Sequence, residues 1–334
     1  VAEGAATVPG SRRPDGVPFT ISGVEVPPGK RARVEIPIAG MVTGGILSLP
    51  VEVRNGRRDG PTVWVNAGIH GDELNGIEAI RRVAGEVRAD RLRGRVLFVP
   101  IVNLFGFLHQ SRYLPDRRDL NRSFPGSSRG SLASRLAHLF LTEIVDRCQA
   151  GIDLHTGSDH RTNLPQVRGD LDDPAVRAMA RAFGAPVAVH AAIRDGSLRA
   201  AGAQRGIPVL VYEGGGPHRF DAEAVERGAR GVLGVLRHLG MLTSAGEPAP
   251  PPLEVRSTRW IRAGRSGLAR MEVETGRVVS KGERLGFIAD SFGDAPSVLR
   301  APADGMIIGV SHQPVVHRGD AVANLAVGPG PWQE

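Results

Sequence analysis

The sequence predicts an α/β fold, built on a mixed, mostly parallel sheet with helices on both faces, plus a small C-terminal β-sandwich or barrel-sandwich domain. Three observations carry this prediction. Short, nearly continuous apolar runs alternate with amphipathic helical stretches through the middle of the chain; the proline-rich stretch TSAGEPAPPPLEV ends that alternation; and the residues after it hold an internal repeat of β character. At 334 residues the chain is long enough for two domains with cores of their own.

Residues 1–16, rich in Gly, Pro and Arg without periodicity, read as a loose arm. Over residues 17–58, β-branched runs punctuated by Gly and Pro predict hairpins at a sheet edge, which open a first domain spanning 17–245. PTVWVNAG, RGRVLFVPIVN, AGIDLHTG, APVAVHAA and IPVLVYEGGG then have the length and apolar continuity of strands covered on both faces. Between them, ELNGIEAIRRVAGEV, SLASRLAHLFLTEIVDRC, DPAVRAMARAFG and DAEAVERGARGVLGVLRHLG have helical periodicity. In the first of these Leu74, Ile77, Ile80, Val83 and Val87 mark one buried face.

The prolines of TSAGEPAPPPLEV forbid helix and central strand and predict a linker or stiff connection. In the all-β stretch 253–330, SGLARMEVETGRVVSKGERLGFI matches DGMIIGVSHQPVVHRGDAVANL in its order of glycine, apolar run, valine pair and basic-Gly-acid turn. Gly267 then corresponds to Gly305, Val279 to Val316, and Lys281-Gly282-Glu283 to Arg318-Gly319-Asp320. This stretch resembles biotinyl and lipoyl carrier domains. A carrier needs a lysine at the hairpin tip between the halves; here the tip reads DSFGDAPSVL, so the fold is kept and the carrier function rejected.

Composition narrows the function. No apolar run approaches the ~20 residues of a membrane-spanning helix, and the first residues lack an apolar signal core, which predicts a cytoplasmic protein without a membrane partner. The single cysteine, Cys148, excludes an internal disulfide and a multi-cysteine zinc cage, and its place in an amphipathic pattern predicts a buried helix residue. The net charge of +7 comes almost wholly from arginine. These arginines are scattered among acids and aromatic residues are scarce, so the expectation is attraction for a small anionic substrate rather than nucleic-acid binding. A homo-oligomer is left open.

The chemistry gathers at the carboxyl ends of the predicted strands, where ligands collect in open α/β sheets. His70 and Glu73 follow the first strand in AGIHGDELNG, His155 lies in GIDLHTG, and Glu213 follows IPVLVY. Two histidines and one carboxylate, with a fourth position left to water, form a catalytic zinc set. A separate carboxylate at Glu213 suits the base that takes a proton from water and returns it to a leaving nitrogen. The long, aperiodic segment NLFGFLHQSRYLPDRRDLNRSFPG carries Arg112, Arg117, Arg118 and Arg122, which suit an oxyanion or a substrate carboxylate.

HGDE, RYLPDRRDLNR, DLHTG and a glutamate before GGG, in this order and spacing, resemble the succinylglutamate desuccinylase and aspartoacylase family, relatives of the zinc carboxypeptidases. The resemblance implies a zinc-carboxypeptidase-like fold and one zinc ion per chain bound by His70, Glu73 and His155. It implies Glu213 as general base and acid, Arg112 as the group that polarises the scissile carbonyl, and Asn121 and Arg122 as the clamp on a substrate carboxylate. Asp119, toward His70, and Asp153, two residues before His155, compete for the role of orienting a ligand histidine. Arg199, in GSLRAAG, is a further candidate for an acyl-group carboxylate. The chain departs from the family at a C-terminal substrate tyrosine, since its only tyrosines are Tyr113 and Tyr212. The expectation is a zinc-dependent deacylase that hydrolyses the linear amide of a small N-acyl amino acid, its entrance narrowed by the β tail. The alternatives are a metallocarboxypeptidase and a catalytically silent binding protein on the same fold.

Overall fold

The computed structural model describes residues 17–40, 42–243, 249–294 and 296–333. The arm expected over 1–16 lies outside the described residues, as does 244–248 of the proline-rich stretch.

The chain opens with a short hairpin, β1 (Phe19–Ile21) and β2 (Val24–Val26), and a long one, β3 (Lys30–Gly40) and β4 (Ile46–Asn55). The alternating region follows as β5 (Arg58–Ala67), α1 (Asn75–Glu86), β6 (Arg93–Val99), α2 (Leu104–Leu108), α3 (Leu132–Glu143), β7 (Ala150–His155) and β8 (Arg161–Gly169). It continues with α4 (Pro174–Phe183), β9 (Val187–His190), α5 (Leu198–Ala203), β10 (Val209–Gly215) and α6 (Ala222–His238). Helix boundaries follow local chemistry: in α4 the Asp173 carboxylate accepts from the Ala175 and Val176 N–H groups, Pro174 occupies the first turn, and Gly184 ends the helix at φ +70°.

Strands β6, β5, β7 and β10 run parallel and form the heart of the sheet. Antiparallel β4 and β3 flank it on one side and antiparallel β8 on the other, so the sheet is mixed as predicted. Along β5 the side chains alternate between two cores. Val63 and Val65 pack with α1, α4 and α6, through residues such as Ile80, Met179 and Val232, whereas Trp64 packs with Leu136 and Phe140 of α3. Burial on both faces is why these strands read as continuous apolar runs.

Helix α1 keeps most of its predicted face: Ile80, Val83 and the following Val87 are buried in one core, and Ile77 packs against it. Asn75, Gly76, Ala79, Ile80 and Val83 are buried, whereas Leu74 and Ile77 are half-buried. A Cβ on Gly76 would lie 2.7 Å from that of Leu154 and 2.8 Å from that of Ala67, so the missing side chain lets the helix approach the sheet. Cys148 is buried as expected, but it follows the short 3-10 turn Val145–Arg147 in extended conformation rather than sitting in a helix.

After the proline-rich stretch come β11 (Leu253–Val255), β12 (Thr258–Arg262), β13 (Gly267–Met271), β14 (Val278–Val279), β15 (Arg284–Ala289), β16 (Ser297–Arg300), β17 (Gly305–Ser311), β18 (Val315–Val316) and β19 (Ala321–Val327). The sequence repeat is a structural repeat in which β13, β14 and β15 recur as β17, β18 and β19. The halves exchange their valine pairs: Val279 lies opposite Gly305, and Val316 opposite Gly267. The matched turns place Gly282 at φ +85° and Gly319 at φ +98°, where a side chain would be strained.

The tail does not stand apart from the larger sheet. Strand β17 pairs with β8, with Gly309 opposite Asn163, and β11 pairs with β9. These pairings bring the tail beside the carboxyl ends of the central strands. No helix among the described residues is long and apolar enough to cross a membrane.

Candidate active site

The turn after β5 is shaped by close approach. Gly68 adopts φ +62°. Gly71 lies against helix α2 and the turn that follows it: its N–H donates to the Ser111 carbonyl at 3.0 Å, and a Cβ there would fall 1.9 Å from the Gly106 carbonyl carbon. Backbone cannot yield as a flexible side chain can. A Gly71→Ala variant is therefore expected to lose about 1–3 kcal/mol of stability and to bind metal more weakly, measured by thermal unfolding and zinc titration. Asn75 ties this turn to the one after β10, donating to the Gly214 carbonyl at 3.1 Å and accepting from the Asp221 N–H at 2.8 Å.

His70, Glu73 and His155 converge in a buried cluster whose ligand atoms lie within 4.8 Å of one another. Nδ1 of His70 and Nδ1 of His155 each stand 2.8 Å from a different oxygen of the Glu73 carboxylate. Their Nε2 atoms face outward, His70 to Asp119 at 3.2 Å and His155 to Asp153 at 2.9 Å. The two acids thus do not compete: each holds one histidine. Arg112 joins the group, donating to Asp119 at 2.9 Å and to Glu73 at 3.4 Å.

The electrostatics of this cluster suit a cation. The group holds three carboxylates, Glu73, Asp119 and Asp153, and one guanidinium, Arg112, which reaches the first two, so with neutral histidines its formal charge is −2 in a largely buried position. Burial alone would push the Glu73 and Asp119 carboxyls up and the histidines down, but the charges on their partners outweigh it. Both carboxyls are held below the usual range, and both imidazoles above it, His155 well above. A divalent ion at the Nδ1 atoms would supply the missing charge. The donor set, two imidazole nitrogens and a carboxylate with each second imidazole nitrogen on an acid, fits zinc.

The same shifts set a pH dependence. With imidazoles held above their usual pKa, the metal-free site keeps its protons to higher pH than free imidazoles would, and a metal must displace them. Metal affinity is expected to rise with pH and fall in acid, with protons released on binding. Calorimetry in buffers of different ionisation enthalpy reads this release; uptake without it would contradict the cluster's electrostatics.

A cavity of about 550 Å³ opens beside the cluster. Glu213 lines it, placed by the parallel register that sets it opposite His155, and its carboxylate accepts from Asn163 Nδ2 at 2.9 Å. Arg112, Asn121, Arg122 and Arg199 line the same cavity, whereas Arg117 and Arg118 do not. Asn121 Oδ1 accepts from the Leu198 N–H at 2.9 Å, which ties the arginine-rich loop to the start of α5. With its carbonyl end engaged, Asn121 can offer a substrate its amide N–H groups. Arg199 donates to the Ala191 and Ala192 carbonyls; burial, and next the neighbouring Arg168 guanidinium, lower its pKa. Tyr113 is exposed and Tyr212 is buried, stacked on Phe183; neither lines the cavity.

Several lining residues carry no sequence signal. Thr258, Trp260 and Asn324 come from the tail, and Trp260 sits under the Arg161 guanidinium, 5.3 Å from the ring centroid. Their position follows from the pairing of β17 with β8 rather than from any local motif. Asn66, which reaches Asp153 at 2.7 Å, did leave a trace, as the one polar residue in the run VWVNA.

The profile of the family described as "Succinylglutamate desuccinylase/Aspartoacylase catalytic domain" matches residues 59–239. Among curated proteins, the N-alpha-acetyl-L-2,4-diaminobutyric acid deacetylase of Halomonas elongata is 29% identical over 333 residues, covering 95% of this chain and 97% of that protein. Among solved structures, a succinylglutamate desuccinylase/aspartoacylase from Rhodobacter sphaeroides superposes with a TM-score of 0.81 at 31% identity, covering 91% of this chain and 96% of that one. The ectoine utilization protein EutE (DoeB) of Ruegeria pomeroyi, in its product-bound structure, shares the fold with a TM-score of 0.82 at 24% identity, covering 95% of this chain and 100% of that one.

Proposed function

Because the chain belongs to the succinylglutamate desuccinylase/aspartoacylase family, we propose that it is a zinc-dependent deacylase, which hydrolyses the amide of a small N-acyl amino acid. The single observation that carries this reading is the buried His70–Glu73–His155 group opening onto a cavity that also holds Glu213 and several arginines. The curated relative, named as a deacetylase of an N-acetylated amino acid, supports the same class of reaction.

His70, Glu73 and His155 would hold the ion. When bound, zinc supplies a Lewis acid that lowers the pKa of water to about 7. The remaining steps belong to the protein. Glu213 accepts the proton of the attacking water and delivers it to the leaving nitrogen, a task for which Asn163 fixes its carboxylate by one hydrogen bond and leaves it facing the cavity. Arg112, held by Asp119, presents a fixed cation to the oxygen on which negative charge develops. Asn121 and Arg122 donate to the carboxylate of the amino-acid part. Arg199, beside Arg168, gives another part of the wall a positive charge that favours an anionic group on the substrate.

The residues from β12 and β19 that line the cavity favour small substrates over protein chains. We place this chemistry in the cytoplasm, on a first domain of 17–245 with an all-β domain of 253–330 at its entrance. Release of free amino acid from a panel of N-acetyl and N-succinyl amino acids, set beside unblocked dipeptides, tests the reading. Turnover of the N-acyl panel supports it; turnover of dipeptides alone makes the protein a metallocarboxypeptidase, and turnover of neither makes it a binding protein.

A further inference from the structure

His155 stands at one end of a buried hydrogen-bond chain whose direction is set at the other end. Trp64 Nε1 donates to Asn66 Oδ1 at 2.9 Å, Asn66 Nδ2 donates to Asp153 Oδ1 at 2.7 Å, and Asp153 Oδ2 meets His155 Nε2 at 2.9 Å. Exposure is 0% for Trp64 and Asn66, 1% for Asp153 and 4% for His155, so water does not stand in for any member. The parallel register of β5 and β7 puts Asn66 beside Asp153. Residues two apart share a strand face, so Trp64 and Asn66 on one strand meet Asp153 and His155 on the next.

An indole N–H can only donate. It turns the Asn66 amide oxygen toward itself, and the Asn66 nitrogen must then face Asp153. Asp153, a carboxylate, accepts on both oxygens, so the proton between it and His155 belongs to Nε2. That leaves the Nδ1 lone pair of the neutral ring on the side of Glu73. The indole cannot swing away from this duty: it fills a slot over Gly151, where a Cβ would fall 2.0 Å from the ring. His70 is anchored differently. Its acid, Asp119, is held from the surface loop by the Asn121 N–H at 2.8 Å and by Arg112, so only His155 is anchored from the core.

We infer that Trp64 and Asn66 are positioning residues that act through Asp153 to hold His155 as the Nε2–H tautomer, with Nδ1 presented for metal binding. The inference rests on the metal reading above. It predicts that a substitution with no contact to a ligand changes metal affinity. Trp64→Phe removes the donor and keeps an apolar ring; Asn66→Asp keeps an oxygen for Trp64 and removes the donor to Asp153.

The test is zinc affinity by chelator competition, together with the His155 ring N–H resonance in nitrogen-15-labelled protein. Each folded variant should bind zinc about 10–100-fold more weakly and show a displaced or broadened Nε2–H resonance. A residue that only packs the core would lower the unfolding temperature and leave both readings in place, and that result in either folded variant overturns the inference. If neither variant folds, the wild type decides, because a ring proton found on Nδ1 rather than Nε2 contradicts the chain. A wild type that takes up no zinc defeats the metal reading instead, and the ring N–H resonance of the metal-free protein, followed at a pH high enough for the His155 ring to be neutral, then still tests the chain.

Discussion

Glu213→Gln is expected to reduce kcat on the best N-acyl amino acid by about 10²–10⁴-fold while zinc content stays at the wild-type level. The reasoning is local. Glutamine fills the same volume and can still hydrogen-bond Asn163, whose amide now donates at 2.9 Å to a carboxylate oxygen of Glu213. What is lost is the ability to accept and return a proton. Because Glu213 lies outside the His70–Glu73–His155 group, metal binding and folding should be spared. Single-turnover kinetics and elemental analysis check both halves. Full turnover in this variant would assign the proton transfer to another group and remove the central residue of the mechanism.

His155→Ala is the second large expectation: loss of nearly all bound zinc and, with it, of activity. Removing this ring takes away one of two nitrogen donors and leaves Asp153 facing Asn66 alone, with its other oxygen uncompensated in a buried position. Some loss of stability should accompany the loss of metal. Zinc per chain after dialysis, read beside the wild type, checks the prediction. Wild-type zinc in the variant would mean that the ion sits elsewhere.

The parallel heart of the sheet was legible in the sequence because its strands are buried on both faces. Val63, Trp64 and Val65 all meet a core, so the run carries no polar interruption until Asn66. Strand β8 was not legible for the opposite reason. Asn163 and Arg168 turn toward the cavity, and Gln166 is polar to serve the Ile308 carbonyl, so RTNLPQVRG resembles a loop in composition. The candidate His70–Glu73–His155 group could be read because a tight turn carries His70 and Glu73, and a strand end carries His155. The tail's contribution at Thr258, Trp260 and Asn324 depends on pairing between segments far apart in sequence, which no local pattern encodes.

The central claim, a zinc-dependent deacylase, is tested most directly by titrating zinc back into metal-stripped protein while following hydrolysis of N-acyl amino acids. The account predicts no turnover in the stripped protein and activity that rises with zinc to a plateau at about one ion per chain. Hydrolysis by the stripped protein, or none at any zinc concentration with the same N-acyl panel, would contradict it.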